Sequence, residues 1–210
     1  WMVGLPVEHS ATDAQILAAF ADPMSKPTAD MIGRSSDVFK EFLSISKSKL
    51  FSLETAEEVL DRVGFHDGGT TQVPNVIVMS IDDGVGTVAG TASTARADLD
   101  PEVDAIVVVF NGTDAEITRK ISTATGFTLH AIQQNSADAS VHDAHFAEGT
   151  GGDAGKGLFT VPAYTTAVFV KVQSGAQGAG LLSTITSGYE PPVPYGDTAI
   201  YIRGEVTTPN

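Results

Sequence analysis

The densest group of chemically capable side chains is an acidic run in which Asp98, Asp100, Glu102 and Asp104 fall within seven residues. Carboxylates this close repel one another unless water or a hard cation screens them, and Ca²⁺ accepts such oxygen ligands in loops. The run lacks the central glycine and the terminal bidentate glutamate of the helix–loop–helix calcium motif. We therefore favour a solvated loop that leads into a strand, and keep a Ca²⁺ site at these four residues as the alternative.

Two other groups carry side chains that metal binding or acid–base catalysis requires. The segment His142–His145 (His-Asp-Ala-His) offers imidazole and carboxylate ligands, but no third ligand stands at a recognisable spacing. We favour a polar loop there over a metal site. Asp82 and Asp83 form a carboxylate pair, yet they precede Gly84 at the end of a predicted strand, where aspartates commonly bond the backbone of a turn. We therefore predict a turn rather than a catalytic pair.

Composition excludes several classes of function. The chain has no cysteine, which rules out disulfides, thiol catalysis and cysteine-ligated metals. It has no Gly-x-Ser-x-Gly nucleophile motif, and its glycine-rich segment 149–155 follows no predicted strand, unlike a phosphate-binding loop. A formal charge of −14 argues against a nucleic-acid partner. No apolar run reaches the ~18 residues that a bilayer span needs, so we expect no membrane partner. No required cofactor is predicted.

The N-terminal part of the chain has helical periodicity. Ser10 is placed to cap a first helix, and a second helix is predicted to begin near Ser35 or Ser36. A third begins with a capping box at Thr55–Glu58, and Gly64 is placed to end it. The second helix carries an apolar stripe that must be covered, formed by Val38, Phe39, Phe42, Leu43 and Leu50.

From Phe65 onward, short β-rich runs are separated by Gly, Asp, Asn and Pro, a pattern typical of an antiparallel sandwich or a small barrel. The polar segments 84–104 and 135–156 are predicted to be surface loops. Residues 173–195 have the composition of a linker, and 198–204 alternates like a strand. The predicted strands are Val76–Asp82, Ala105–Asn111, Glu116–Ile121, Phe127–Ile132, Gly157–Val161 and Thr165–Val172.

Seven stretches, taken in order, carry a family resemblance. They are Trp-Met-Val-Gly-Leu-Pro at 1–6, the segment 39–53, Thr-Ala-Glu-Glu-Val at 55–59, the segments 74–84 and 99–111, Leu-His-Ala-Ile-Gln-Gln at 129–134, and Val-Pro-Ala-Tyr-Thr-Thr-Ala-Val-Phe-Val at 161–170. Together they resemble the C-terminal part of pullulanase-type α-1,6-glucosidases, debranching enzymes of the α-amylase superfamily. Their shared order makes the resemblance specific.

The resemblance implies an α+β fold by content. A short N-terminal helical remnant of a (β/α)8 barrel would be followed by an all-β antiparallel sandwich, the amylase-type C-terminal domain. Residues 1–64 would be the last helices of the catalytic barrel, and 65–173 the sandwich domain. Residues 174–210 would be a Gly/Pro linker and the first strand of an appended glucan-binding module.

The resemblance also implies that the family's catalytic Asp and Glu residues lie in barrel segments before Trp1, so no catalytic residue is assigned here. We expect a structural accessory of a glycoside hydrolase that cleaves α-1,6-glucosidic branch links in pullulan, glycogen or amylopectin, and we expect this part alone to be inactive. Its partners would be the remainder of the catalytic barrel and a branched α-glucan, with Trp1 as the candidate substrate-binding residue. Self-association of the isolated chain and a secreted or cell-envelope bacterial location are further expectations.

A stand-alone carbohydrate-binding β-sandwich module is the alternative. Such modules stack exposed aromatic rings on the apolar faces of sugars, whereas aromatic residues make up only 7% of this chain and Trp1 is its sole tryptophan. The candidate rings are Tyr164, Tyr189, Tyr195 and Tyr201. The sequence therefore favours the accessory over the binding module.

Overall fold

The computed structural model describes residues 12–22, 26–66, 72–86 and 95–181, which form helices followed by two antiparallel sheets. Trp1, Ser10, the later tyrosines and the predicted strand at 198–204 lie outside these residues. Among the described residues, no helix has the length and apolar character that crossing a bilayer would require.

The larger sheet has the strand order β1-β2-β3-β8-β5, and the smaller sheet has the order β4-β7-β6. Every neighbouring pair is antiparallel. The strands are β1 (Val63–His66), β2 (Val76–Asp82), β3 (Val103–Asn111), β4 (Ile117–Ser122), β5 (Thr128–Leu129), β6 (His145–Glu148), β7 (Lys156–Val161) and β8 (Thr165–Val172).

Strand β3 is covered on both faces. Ala105, Val107 and Val109 point into the core between the two sheets, while Ile106 and Val108 point to the opposite face. Since successive side chains of a strand alternate between faces, a nearly continuous apolar run is what a doubly covered strand requires. The sheet therefore has the smaller sheet on one side and helical segments on the other.

The core between the sheets contains a cluster of four phenylalanines. Phe159 of β7 lies 5.1 Å from Phe169 of β8 and 5.1 Å from Phe146 of β6, centroid to centroid. Phe127 lies 5.4 Å from Phe159. The rings are tilted or edge-to-face, which is the arrangement that aromatic quadrupoles prefer. These rings join the two sheets into one sandwich.

The helices are α1 (Asp13–Ala21), α2 (Ala29–Ile45) and α3 (Ala56–Arg62). The last turn of α2 packs on the outer face of the larger sheet, where Ile45 is 4% exposed and Phe42 joins the same apolar cluster. A 3₁₀ turn at Lys49–Phe51 places Leu50 there with no exposure. The predicted stripe is thus only partly covered, because Phe39 and Leu43 remain 64% and 51% exposed.

Several predicted boundaries are wrong for identifiable reasons. Helix α2 begins at Ala29, because Thr28 accepts a hydrogen bond from the backbone N–H of Met31. Gly64 does not end α3 but lies within β1. The capping box that starts α3 at Thr55 is confirmed. Strand β1 was not predicted.

The strands β2 and β8 match their predicted bounds. Strand β5 is confined to Thr128–Leu129, because the chain then turns into a 3₁₀ helix at Gln133–Asn135. Part of the predicted loop 135–156 forms β6, an edge strand paired with β7. Strand β6 was not predicted, because its residues are mostly exposed and show no alternation of apolar and polar side chains.

The capping box of α3 makes helix stability depend on pH. The backbone N–H groups of Glu54 and Thr55 donate to the Glu58 carboxylate and lower the pKa of Glu58 below its ordinary value of 4.5. Because the folded pKa is lowered, this contribution to stability is present above the ordinary pKa and is lost as the pH falls through the folded pKa. We expect an NMR titration to place the Glu58 midpoint below 4.5, with fraying of α3 on the acid side.

Glu58→Gln is the control, because it keeps an acceptor oxygen without the charge. Helix α3 of this variant should show no such pH dependence of its amide signals. A Glu58 midpoint at or above 4.5 in the native chain would contradict the capping interaction.

Candidate functional site

The structure gives the residues of the acidic run separate partners. Asp98 accepts a hydrogen bond from the side-chain amide of Gln173 at 2.9 Å, and Asp100 accepts one from the hydroxyl of Ser48 at 2.5 Å. Glu102 is exposed. In the parts of the chain that the structure describes, no three His, Cys, Asp or Glu side chains gather as a group that could hold a metal. A Ca²⁺ site at the run remains a prediction.

The fourth member of the run, Asp104, lies in β3 and is buried at 5% exposure. It accepts a hydrogen bond from the backbone N–H of Gly178 at 2.6 Å. A Cβ at Gly178 would lie 2.5 Å from this carboxylate, so the backbone can come this close only without a side chain. Asp104 therefore holds the segment 177–181 against the sheet.

The histidines of the His142–His145 segment point to backbone oxygens. The ring of His142 bonds the carbonyl of Ser136 at 3.1 Å, and the ring of His145 bonds the carbonyl of Asp143 at 2.9 Å. His145 is exposed at the start of the edge strand β6. These contacts fix local turns and do not bring the two imidazoles together on one ligand.

The buried charges lie elsewhere, at the end of β2. Asp61, Arg62, Asp82, Asp83 and Arg96 are all between 0% and 7% exposed, and we call these five residues the ionic cluster. Charged side chains are almost never this buried unless they are paired. The cluster joins the end of α3, the end of β2 and the segment that precedes β3.

Arg62 and Asp83 form the first half of the ionic cluster. The Arg62 guanidinium donates to the Asp83 carboxylate and to the carbonyl of Ala97, the latter at 2.7 Å. Asp83 also accepts from the backbone N–H groups of Leu99 and Asp100, at 3.0 and 2.8 Å. Burial raises the pKa of Asp83, against these hydrogen bonds and the Arg62 charge, which lower it.

Arg96 forms the second half by bridging two carboxylates. Its Nε lies 2.8 Å from Asp61 and its Nη1 lies 2.7 Å from Asp82. Burial lowers the pKa of Arg96, but the hydrogen bonds and charges of both aspartates outweigh burial and raise it. Arg96 is therefore held in its charged form.

The segment 177–181 completes the surroundings of the ionic cluster. Asp82 accepts from the backbone N–H of Leu181 at 2.8 Å, and Gln177 donates to the carbonyl of Asp83. A Cβ at Gly180 would overlap the Asp82 carboxylate, so glycine is required at this close approach. Residues 177–181, which the composition assigns to a linker, are thus packed against the domain, and Leu181 has no exposure.

The ionic cluster is suited to structure rather than to catalysis. Its guanidinium groups are held by carboxylates and carbonyls, and its carboxylates accept from arginines and backbone N–H groups. Groups this buried have no open face on which a substrate could exchange protons. The predicted turn at Asp82-Asp83 was incomplete, because Asp82 bonds the N–H of Gly84 while both carboxylates also bind arginines.

Sequence reasoning missed Asp61, Arg62 and Arg96. Asp61 and Arg62 end a helix whose capping box was recognised, and a basic residue in the last turn is ordinarily explained by the helix dipole. Their pairing with residues 20 or more positions away depends on the tertiary fold. No local spacing could have found it.

A second feature is an exposed apolar ridge on α2, formed by Ile32, Phe39 and Leu43, which are 53%, 64% and 51% exposed. The spacings of seven and four residues place these side chains on one face of the helix. Leu17 and Phe20 of α1 are exposed as well, at 68% and 48%. Exposed apolar side chains that are contiguous mark an interaction surface.

Arg96→Met tests the ionic cluster. The change leaves Asp61 and Asp82 buried without their shared cation, and breaking a buried pair in this way costs about 3–5 kcal/mol. We expect the free energy of unfolding, measured by urea denaturation, to fall by that amount. Lys40→Met is the matched control, because the exposed Lys40–Asp37 pair is worth at most about 0.5 kcal/mol. Equal losses in the two variants would contradict the cluster's structural role.

Comparison with protein families gives one match over most of the chain. Residues 1–172 match the family described as "Alpha-1,6-glucosidases, pullulanase-type, C-terminal". Among curated proteins, the chain is 36% identical over 188 residues to Pullulanase 1, chloroplastic, of Arabidopsis thaliana, and 30% identical over 183 residues to Pullulanase of Klebsiella pneumoniae. These alignments cover 83% and 85% of this chain but only 18% and 15% of the relatives.

Solved structures give the same result. The maltotriose complex of PulA from Klebsiella pneumoniae is similar with a TM-score of 0.57 and 31% identity, over 74% of this chain and 15% of that one. PulA from Klebsiella oxytoca is similar with a TM-score of 0.59 and 28% identity, over 78% of this chain and 14% of that one. The chain thus spans less than a fifth of the length of these relatives.

Proposed function

The chain belongs to the C-terminal family of pullulanase-type α-1,6-glucosidases, and from this premise we propose that it is a non-catalytic structural part of a debranching enzyme. The enzyme would hydrolyse α-1,6-glucosidic branch links in pullulan, glycogen or amylopectin. The observation that carries the proposal is that α2 has two apolar faces. One face packs on the sheet through Phe42 and Ile45, and the other exposes the ridge.

The state of the buried acids supports a non-catalytic role. Retaining glycoside hydrolysis needs two carboxyl groups about 5–5.5 Å apart on either side of the scissile bond, one of them acting as a general acid. Asp61, Asp82 and Asp83 are at most 4% exposed and are held by arginines. A sugar ring cannot pass between such groups without dismantling the fold.

The exposed ridge supports a position of α2 between the sandwich and a second domain. A helix with one face on the sheet and a second apolar face open is the form expected of an outer helix that a larger domain covers. We propose that α1 and α2 are the last helices of the catalytic barrel and that the remainder of the barrel covers Ile32, Phe39 and Leu43. The small share of the relatives that this chain spans leaves room for such a domain.

The substrate class follows from the relatives. The proteins that this chain resembles are pullulanases, and one of their structures is titled as a maltotriose complex. We propose a branched α-glucan as the substrate of the whole enzyme. Within that enzyme, the ionic cluster would keep the sandwich rigid and the ridge would fix it to the barrel.

Phe39→Ser with Leu43→Ser tests the ridge in the enzyme that contains this chain. Full burial of each of these side chains is worth about 1.5–3 kcal/mol, so the double variant should inactivate at a lower temperature than the parent. Because no reacting group changes, kcat on pullulan before heating should stay the same. Initial rates and residual activity after heating measure the two effects.

Asp37→Ser with Lys40→Ser is the matched control on the same helix, where these side chains are 57% and 68% exposed and form only a surface ion pair. Its thermal inactivation should match that of the parent. A ridge variant that inactivates at the same temperature as this control would contradict the proposed docking.

A further inference from the structure

A groove of about 490 Å³ lies away from the ionic cluster, where the start of β2, the end of β3 and the turn between β7 and β8 meet. We call it the Tyr164 groove, and its principal lining residues are Gln72, Asn75, Ile77, Phe110, Tyr164 and Thr166. Its volume is in the range of small-molecule sites on proteins. It shares no lining residue with the ionic cluster or with the ridge on α2.

The apolar surface of the groove is unusually open. Tyr164 is 74% exposed, Ile77 is 47% exposed and Phe110 is 39% exposed. Phe110 and Ile77 are directly paired across β2 and β3, so together they form a fixed platform beside the tyrosine ring. An exposed aromatic ring beside such a platform offers a flat apolar surface to a ligand.

The groove also has polar groups that the described fold leaves unused. The side-chain amides of Gln72 and Asn75 and the hydroxyl of Tyr164 form no hydrogen bond with any described residue. By contrast, the amide of Asn111 donates to the carbonyls of Ala115, Val161 and Pro162 and is part of the structure. The unused amides and hydroxyl can therefore serve a ligand as donors and acceptors.

The groove carries no charged side chain among its lining residues, although 18% of the chain is charged. A neutral lining does not compensate an anion, a cation or the charged side chains of a peptide. It suits a neutral ligand that combines an apolar face with many hydroxyl groups. The pyranose rings of a glucan have both properties.

The backbone holds Tyr164 in an uncommon conformation. Its φ is 51°, and Asn75, which also lines the groove, has a φ of 64°. A bulky residue in this left-handed region is a rare outlier, and such strain concentrates at binding sites. The Tyr164 N–H donates to the carbonyl of Thr113 at 3.0 Å, which holds the backbone of the turn that carries the ring.

We propose that the Tyr164 groove binds a linear α-1,4-glucan segment, with one glucose ring stacked on Tyr164 and hydroxyl groups bonded to the amides of Gln72 and Asn75. The proposal rests on the function proposed above, since it takes the ligand from the glucan on which the enzyme acts. It adds a binding surface on the sandwich that performs no cleavage.

Maltoheptaose is the probe, because it is neutral and contains no α-1,6 link. Titrating it into the 210-residue chain, with NMR or calorimetry as the readout, should show saturable binding. Tyr164→Ala removes the stacking ring and should weaken binding by at least about tenfold, as expected for a central aromatic contact. Tyr164→Phe keeps the ring and should bind nearly as well as the native chain.

Phe39→Ala is the matched control, because this aromatic ring is 64% exposed but lies on the ridge and not in the groove. Its affinity for maltoheptaose should be unchanged. Circular dichroism of each variant verifies that the fold is kept. Absence of binding by the native chain, or binding that Tyr164→Ala leaves unaltered, would overturn the proposal.

The outcomes separate this inference from the function proposed above. If maltoheptaose binds but the ridge variant inactivates like its control, the docking proposal is wrong and the groove proposal stands. A ridge effect without maltoheptaose binding would remove the groove proposal alone.

Discussion

Paired charges buried at the end of β2 tie four segments of the chain together. Arg62 and Arg96 bring together the end of helix α3, the end of β2 and the segment before β3, and the carboxylate of Asp82 also binds the backbone at Leu181. A buried pair of this kind adds little net stability compared with apolar residues of the same size, but losing one partner is costly. Its effect is therefore to permit one arrangement of these four segments and to penalise others.

The larger sheet has a different neighbour on each of its faces. With α3 and the end of β2 fixed, the larger sheet presents the side of Val107 to the smaller sheet and the side of Ile106 to α2 and Leu50. Apolar burial then supplies the driving force on both faces. The ridge on α2 lies outside the second of these surfaces and stays exposed, which is why we propose that the remainder of the barrel covers it.

Local chemistry determined which parts could be predicted from sequence. Strands β2 and β8 are compact β-branched runs, and the Thr55 capping box needs only neighbouring residues. Strand β6 and the start of α2 were not predicted, because their residues are exposed and show no periodic pattern of apolar side chains. The ionic cluster was not predicted, and Tyr164 was named only as one of four candidate rings without its groove. In both cases the residues come from distant segments, and burial or exposure decides their role. From sequence alone, a pair of adjacent carboxylates that is catalytic cannot be distinguished from one that is buried in ion pairs.

We propose that this chain supports a sugar-cleaving enzyme without breaking bonds itself, and the release of reducing ends from pullulan tests this directly. Equal molar amounts of the purified 210-residue chain and of the longer enzyme proposed to contain it should be assayed side by side. We expect steady release by the longer enzyme and none by the chain alone. Release by the chain in proportion to its concentration, and persisting through further purification, would contradict it.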